Sequence, residues 1–130
     1  MRKEFFKLLH NEMKRNNKIW LVTADLGYGL MDDIKRDYPD RFLNGGAAEA
    51  ACSDICVGLA LSGQVPFFYS ITTFALYRPF ETWRTYVDRE NIPVRLIGSG
   101  RDKDYAHDGW SHDASDVKEI LGTLKNIHQY

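Results

Sequence analysis

Arg41-Phe-Leu-Asn-Gly-Gly-Ala-Ala-Glu49 runs straight into Ala50-Ala-Cys-Ser-Asp-Ile-Cys-Val-Gly-Leu-Ala-Leu-Ser-Gly63. The stretch predicts a short strand, a glycine turn and a helix whose first turn carries one carboxylate, Glu49. Acidic residues are electrostatically comfortable at a helix N-terminus, so the position alone decides nothing. Its neighbours are almost all small or apolar. A carboxylate set among alanines is either solvated at the surface or held dry, where it could exchange a proton with a bound heterocycle.

The rest of the chain alternates around this unit. Residues 2–16 place Phe5, Phe6, Leu8, Leu9 and Met13 at helical spacing, and Asn16-Asn17 ends them. Ile19–Thr23 is a continuous apolar run, as expected for a strand covered on both faces. A second helix spans Met31 to Tyr38 before Pro39, and Phe42-Leu43 forms the next strand. Val65–Tyr69 and Val94–Gly98 read as further strands around a helix through Phe80, Trp83, Arg84 and Val87. A polar loop then runs to about residue 113, and a last helix is expected over Asp116–Lys125. Strand and helix alternating with short connections predict one α/β domain over residues 1–130, a parallel β-sheet with helices on both faces.

Composition narrows the function. The 130 residues are 44% hydrophobic and 13% aromatic, which suits a folded core. A formal net charge of −1 without charge runs argues against nucleic acid or an anionic membrane as partner. There is no apolar run of the roughly 20 residues that a membrane span needs. The N-terminal residues lack the apolar region of a signal peptide, so a cytoplasmic location is expected. Cys52 and Cys56, four apart on one helix, read as small core residues in a reducing compartment, not as a disulfide or metal site.

In parallel sheets, ligands bind at the carboxyl ends of the strands. That rule gathers Asp25, the Asn44–Glu49 turn, Ser70–Arg78 and Ser99–His112 along one rim. Phe74 and Tyr77 lie three apart on a starting helix, either as core packing or as a stacking wall for a flat ring. Arg78 is either a surface charge or an anchor for a substrate phosphate, which its fork of donors suits. His107-Asp-Gly-Trp-Ser-His112-Asp113 concentrates titratable groups, but its histidine spacing matches no specific metal-ligand pattern.

Four segments carry a resemblance. RFLNGGAAEAACSDICVGLALSGQVP, residues 41–66, resembles without a gap the pyrimidine-binding domain of the transketolase family, R-F-x-N-x-G-I-A-E-Q-x-M-x-G-x-A-x-G-L-A-L-S-G-x-x-P. PFFYSITTFALYRPFETWR is similar to its P-F-x-x-T-F helix entry, HDGWSHDA to its E-D-G-P-T-H-Q loop, and TADLG to its S-A-D-L. Their order and approximate spacing match over about residues 20–120.

The resemblance implies a thiamine diphosphate-binding fold of the pyrimidine type, and assigns roles by position. Glu49 matches the glutamate that contacts the aminopyrimidine ring nitrogen and promotes the tautomer that deprotonates the thiazolium carbon. Phe74 matches a residue lining that ring's pocket, with Ile71 and Tyr77 as neighbours, and Asp25 an acid close to the cofactor at the dimer interface. Asp108 and His112, which the resemblance makes catalytic together with Glu49, match residues that hydrogen-bond the sugar's hydroxyls and carbonyl. Arg78, His107 and His112 are the expected substrate contacts.

Several positions depart from the pattern. Ala50 replaces glutamine, Ala47 a bulkier residue, Ile71 a common aromatic, Trp110 proline, His107 an acid and Asp113 glutamine. These changes loosen the ring pocket and alter the substrate entrance. No G-D-G motif with its downstream asparagine appears, so the magnesium-diphosphate domain is expected to be absent from this chain, as is the family's C-terminal domain.

The resulting expectation is the pyrimidine-binding subunit or domain of a split transketolase, moving a two-carbon ketol unit between sugars or sugar phosphates. Thiamine diphosphate would be the cofactor. Mg2+ or Ca2+ would be held mainly by a partner chain carrying the G-D-G domain, with self-association through pyrimidine domains. The alternatives are a 2-oxo acid dehydrogenase or decarboxylase subunit, a deoxyxylulose-phosphate-synthase-like subunit, or a non-catalytic remnant that binds or regulates a partner.

Overall fold

Four parallel strands in the order β2-β1-β3-β4 form the spine of the computed structural model, which describes residues 2–130. They are β1 (Ile19–Thr23), β2 (Phe42–Asn44), β3 (Val65–Ile71) and β4 (Arg95–Ser99). Leu21 pairs with Phe42 on one side and Phe67 on the other, and Tyr69 pairs with Ile97. Side chains alternate across a strand, so neighbours in sequence serve opposite layers. Leu21 and Tyr69 pack with Phe6, Leu9 and Met13 of α1 (Arg2–Arg15) and Ile34 of α2 (Asp32–Asp37). Val22 and Phe68 face the other way, onto Cys52 and Cys56 of α3 (Glu49–Leu61) and onto Trp83. The α/β sheet with helices on both faces is therefore the fold observed.

Some elements differ from expectation. The third strand continues through Ser70 to Ile71, which carries the chain further toward the rim. α4 (Thr72–Tyr77) is a separate helix, because Pro79 has no N–H to donate. Beyond it α5 (Phe80–Thr82) leads into a wide π-type segment, Trp83–Arg89, anchored where the Trp83 indole N–H donates to Ala75 O at 2.7 Å. The last helix, α6, spans only Val117–Leu121. Gly122, a poor helix former, follows it, and the chain then turns to bury Leu124 in the core. The long polar loop contains two short 3-10 turns, Ala106–Asp108 and Trp110–His112, and a bridge between Asp102 and Ala114.

Two residues of the opening stretch hold the architecture around the site. Arg41 donates to the carbonyls of Met13, Asn16 and Ile19 and stacks over Tyr38. It thereby pairs with the Met13 carbonyl in the last turn of α1 and ties that helix end to the start of β1. Gly45 lets the turn close onto α3: a Cβ there would lie 2.3 Å from Cys52 Sγ.

Candidate active-site cleft

A cleft of about 240 Å³ opens at the carboxyl ends of β1 and β3. Its lining includes Asp25, Ala47, Glu49, Ser70, Phe74 and Arg78, with Ile71 beside them. Five sequence-predicted residues (Asp25, Glu49, Ile71, Phe74 and Arg78) thus meet in one place. A larger cleft of about 310 Å³ lies between α1 and α2, walled by Lys3, Lys7, His10 and Asp33. It holds none of them.

Local structure explains how each side chain arrives. Asn44, at the end of β2, accepts backbone N–H donors from Asp25 at 3.1 Å and Gly46 at 3.0 Å. One side chain thereby ties the β1 loop to the turn before α3. Asp25 sits in the left-handed region at φ 46°, which a short polar side chain tolerates, and accepts from Tyr28 Oη at 2.7 Å. That hydrogen bond, more than the nearby charge, pushes the Tyr28 hydroxyl's pKa up. Gly46, at φ 70°, turns the chain into α3 and sets Glu49 in its first turn.

Glu49 is only 4% exposed, and Arg78 Nη1 donates to its Oε2 at 2.8 Å. A buried carboxylate without a partner is costly, and the guanidinium supplies the counter-charge. The same guanidinium lies over Phe74, its Cζ 3.7 Å from the ring centroid. His112 packs against Phe74 from another side, with ring centroids 4.8 Å apart in an edge-on arrangement. So His112 stands one side chain behind the cleft, without lining it.

The remaining candidates lie elsewhere. Tyr77 does not wall the cleft, because its hydroxyl donates to Asp116 Oδ1 near the start of α6. Burial first, then the Asp116 hydrogen bond and charge, raise its pKa. His107 and Asp108 face solvent at 72% and 52% side-chain exposure, 3.6 Å from each other. Asp113, which accepts from the Ser115 hydroxyl and backbone N–H, is held below the usual carboxylate range chiefly by those bonds. Among the described residues no group of three or more His, Cys, Asp or Glu side chains could hold a metal ion. Cys52 and Cys56 are buried and free, and desolvation pushes the Cys56 thiol up to about 12. No helix among the described residues is long and apolar enough to cross a membrane.

Sequence reasoning did not single out Asn44 or Ser70. Asn44 was legible only as a motif letter, and Ser70, buried at the strand end, as a polar residue on the rim.

Residues 1–129 match the family model for the transketolase pyrimidine-binding domain. The chain belongs to that family. Transketolases and deoxyxylulose-phosphate synthases are thiamine diphosphate-dependent. A Methanocaldococcus jannaschii protein described as a transketolase C-terminal section is 27% identical over 128 residues, 98% of this chain and 40% of its own length. A 1-deoxy-D-xylulose-5-phosphate synthase of Clostridium beijerinckii is 30% identical over 127 residues, 97% of this chain and 20% of that enzyme. Among solved structures, a split-gene transketolase, described as an inactive beta4 tetramer, superposes with a TM-score of 0.81. It shares 27% identity across 96% of this chain and 40% of the other. This transketolase pyrimidine-binding domain therefore spans less than half the length of each of these relatives.

Proposed function

We propose that the chain is the pyrimidine-binding part of a split transketolase-like enzyme that transfers a two-carbon ketol unit between sugars or sugar phosphates. The observation that carries this reading is the buried Glu49 carboxylate at the end of a cleft walled by Phe74 and Ile71. Those residues suit an aminopyrimidine: a carboxylate for the ring's polar edge, an aromatic face for stacking, and room beside the small Ala47.

When bound, thiamine diphosphate supplies a thiazolium carbon able to carry the transferred unit. The chain's own residues bind and orient. Glu49 holds or gives up a proton at its Oε atoms, shielded from bulk water by burial. Phe74 and Ile71 fix the plane of the ring, and Asn44 keeps Asp25 and the α3 turn in register. Asp108 and His107 would reach a sugar from the exposed loop, His112 would back Phe74, and Arg78 is the cation in the cleft's lining for a substrate phosphate. A partner chain would hold Mg2+ and diphosphate. The M. jannaschii C-terminal section and the split-gene transketolase support a divided enzyme. The similarity to deoxyxylulose-phosphate synthase favours a second reading, a synthase-like subunit acting on a 2-oxo acid donor.

The test is reconstitution. The chain is mixed with a candidate partner carrying the diphosphate-binding domain, together with Mg2+ and thiamine diphosphate. Thiamine-dependent ketol transfer from a ketose phosphate is expected, with Glu49→Gln abolishing it. Full activity of Glu49→Gln would sink the assignment, and activity only with a 2-oxo acid donor would select the synthase-like reading.

A further inference from the structure

Arg78 occupies the place that the cofactor reading gives to a ring. Its guanidinium makes two contacts in the cleft: a face against Phe74 with Cζ at 3.7 Å, and an N–H edge toward Glu49 at 2.8 Å. An aminopyrimidine seated there would need the same two contacts. The likeness is chemical as well as positional. Guanidinium is planar and conjugated and presents an N–C–N edge, as an aminopyrimidine does. A ring placed between Phe74 and Glu49 would take the volume that the guanidinium now fills.

We propose that Arg78 is a built-in occupant of the ring seat, holding Glu49 and Phe74 in the free chain and swinging outward when a flat, amine-bearing nitrogen heterocycle arrives. The inference rests on the cofactor reading above and adds a conformational step to it. Mobility belongs to the arginine. Its side chain is 45% exposed, and among the described residues Glu49 is its one hydrogen-bond partner. Glu49, fixed in the first turn of a 13-residue helix and almost fully buried, cannot follow it outward.

The exchange is also selective. Removal of Arg78 without replacement leaves a buried carboxylate unpaired, an unfavourable state. An apolar ring could stack on Phe74 but would leave Glu49 bare. Only a ring whose edge hydrogen-bonds the carboxylate restores both contacts. Arg78 thus guards the acid against uncompensated opening and screens the incoming heterocycle. Once displaced, its charge lies at the mouth of the cleft, available to an anionic group.

The experiment titrates the full chain with thiamine, which carries the aminopyrimidine but no diphosphate. In the free protein the Arg78 Nε–H resonance is expected to show a ring-current shift from Phe74, and thiamine to abolish that shift as it binds. Arg78→Ala is expected to tighten thiamine binding on the order of tenfold. Arg78→Gln, which keeps a donor near Glu49 and the fold control with it, is expected to give a smaller gain. Glu49→Gln should weaken binding in every background.

Glu49-dependent binding with an unmoved Arg78 resonance would overturn the proposal and leave the cofactor reading standing. Weaker binding by both Arg78 variants would do the same, making Arg78 a support for the ring. Failure of wild type and both variants to bind thiamine would overturn the two together. The wild-type titration needs no variant, so a poorly folding Arg78→Ala does not blunt the test.

Discussion

Glu49 and the loop of residues 101–113 stand on the same rim of the sheet, and the fold treats them in opposite ways. Glu49 is surrounded by this chain: α3 carries it, Arg78 pairs with it, and Gly45 packs the preceding turn onto Cys52. The loop is pinned at scattered points: Tyr105 Oη accepts from Arg2 Nη1 at 3.0 Å, and His112 packs on Phe74. Thr72 Oγ1 donates to the Ser99 carbonyl at 3.1 Å and also reaches Gly100 O, and Thr73 Oγ1 donates to Ser111 O at 2.7 Å. Its tip, with His107, Asp108 and an 81% exposed Trp110, has solvent in front of it. The contrast separates a region whose contacts this chain supplies itself from one that it leaves open to solvent. The region around Glu49 is packed and paired, while the loop tip presents polar groups and a bare indole to solvent. A site completed by a second chain would be divided in this way.

The packed half can be broken from beneath. Gly45→Ala drives a Cβ to within 2.3 Å of Cys52 Sγ. It is expected to cost about 1–3 kcal/mol in urea unfolding. The double variant Gly45→Ala/Cys52→Ala should cost less than the sum of its parts, because losing Sγ makes room. A neutral Gly45→Ala would mean that the turn is looser than its contacts imply.

The boundary between the halves can be loosened more gently. Thr73→Val deletes the donor to Ser111 and is expected to cost about 1 kcal/mol. Amide exchange should accelerate around Ser111–Ala114 and stay unchanged at Cys52–Val57, whereas uniform acceleration would show that the two regions open as one.

Tyr77 gives a pH-dependent version of the same boundary. Its pKa in the folded chain lies above the ordinary tyrosine value of 10.0 because of burial and then Asp116. Protonated Tyr77 therefore contributes stability that is fully present below pH 10 and lost as the pH climbs through the folded value. Tyr77→Phe should flatten that alkaline decline, and an unchanged profile would assign it to another group.

The smallest effects belong to the open half. His107→Ala and Trp110→Ala are expected to stay within about 0.5 kcal/mol of wild type in the isolated chain, since both side chains face solvent. A large loss of stability would show that the loop tip is packed after all.

The same division governs what could be read from the sequence. Apolar runs at Ile19–Thr23 and Val65–Tyr69 announce buried parallel strands, because strands covered on both faces have no polar side to show. The cleft was legible as far as the strand-end rule and motif order reach, which brought Asp25, Glu49, Ile71, Phe74 and Arg78 together. Long-range partners were not legible. Arg78 finds Glu49 across 29 residues and Tyr77 finds Asp116 across 39, and nothing local marks either pair. Tyr77 shares a helix side with Phe74 by spacing, yet the distant carboxylate turns it away from the cleft. Helix limits failed where breakers act within a helical pattern, at Pro79 and at Gly122.

The proposed activation of a bound aminopyrimidine by the Glu49 carboxyl can be followed as deuterium exchange at the thiazolium carbon of thiamine diphosphate, in the complex reconstituted with a diphosphate-domain partner and Mg2+. Glu49→Ala is expected to slow exchange by at least about a hundredfold while the complex still assembles. Exchange as fast as wild type, in an assembled complex lacking this carboxyl, would contradict the account.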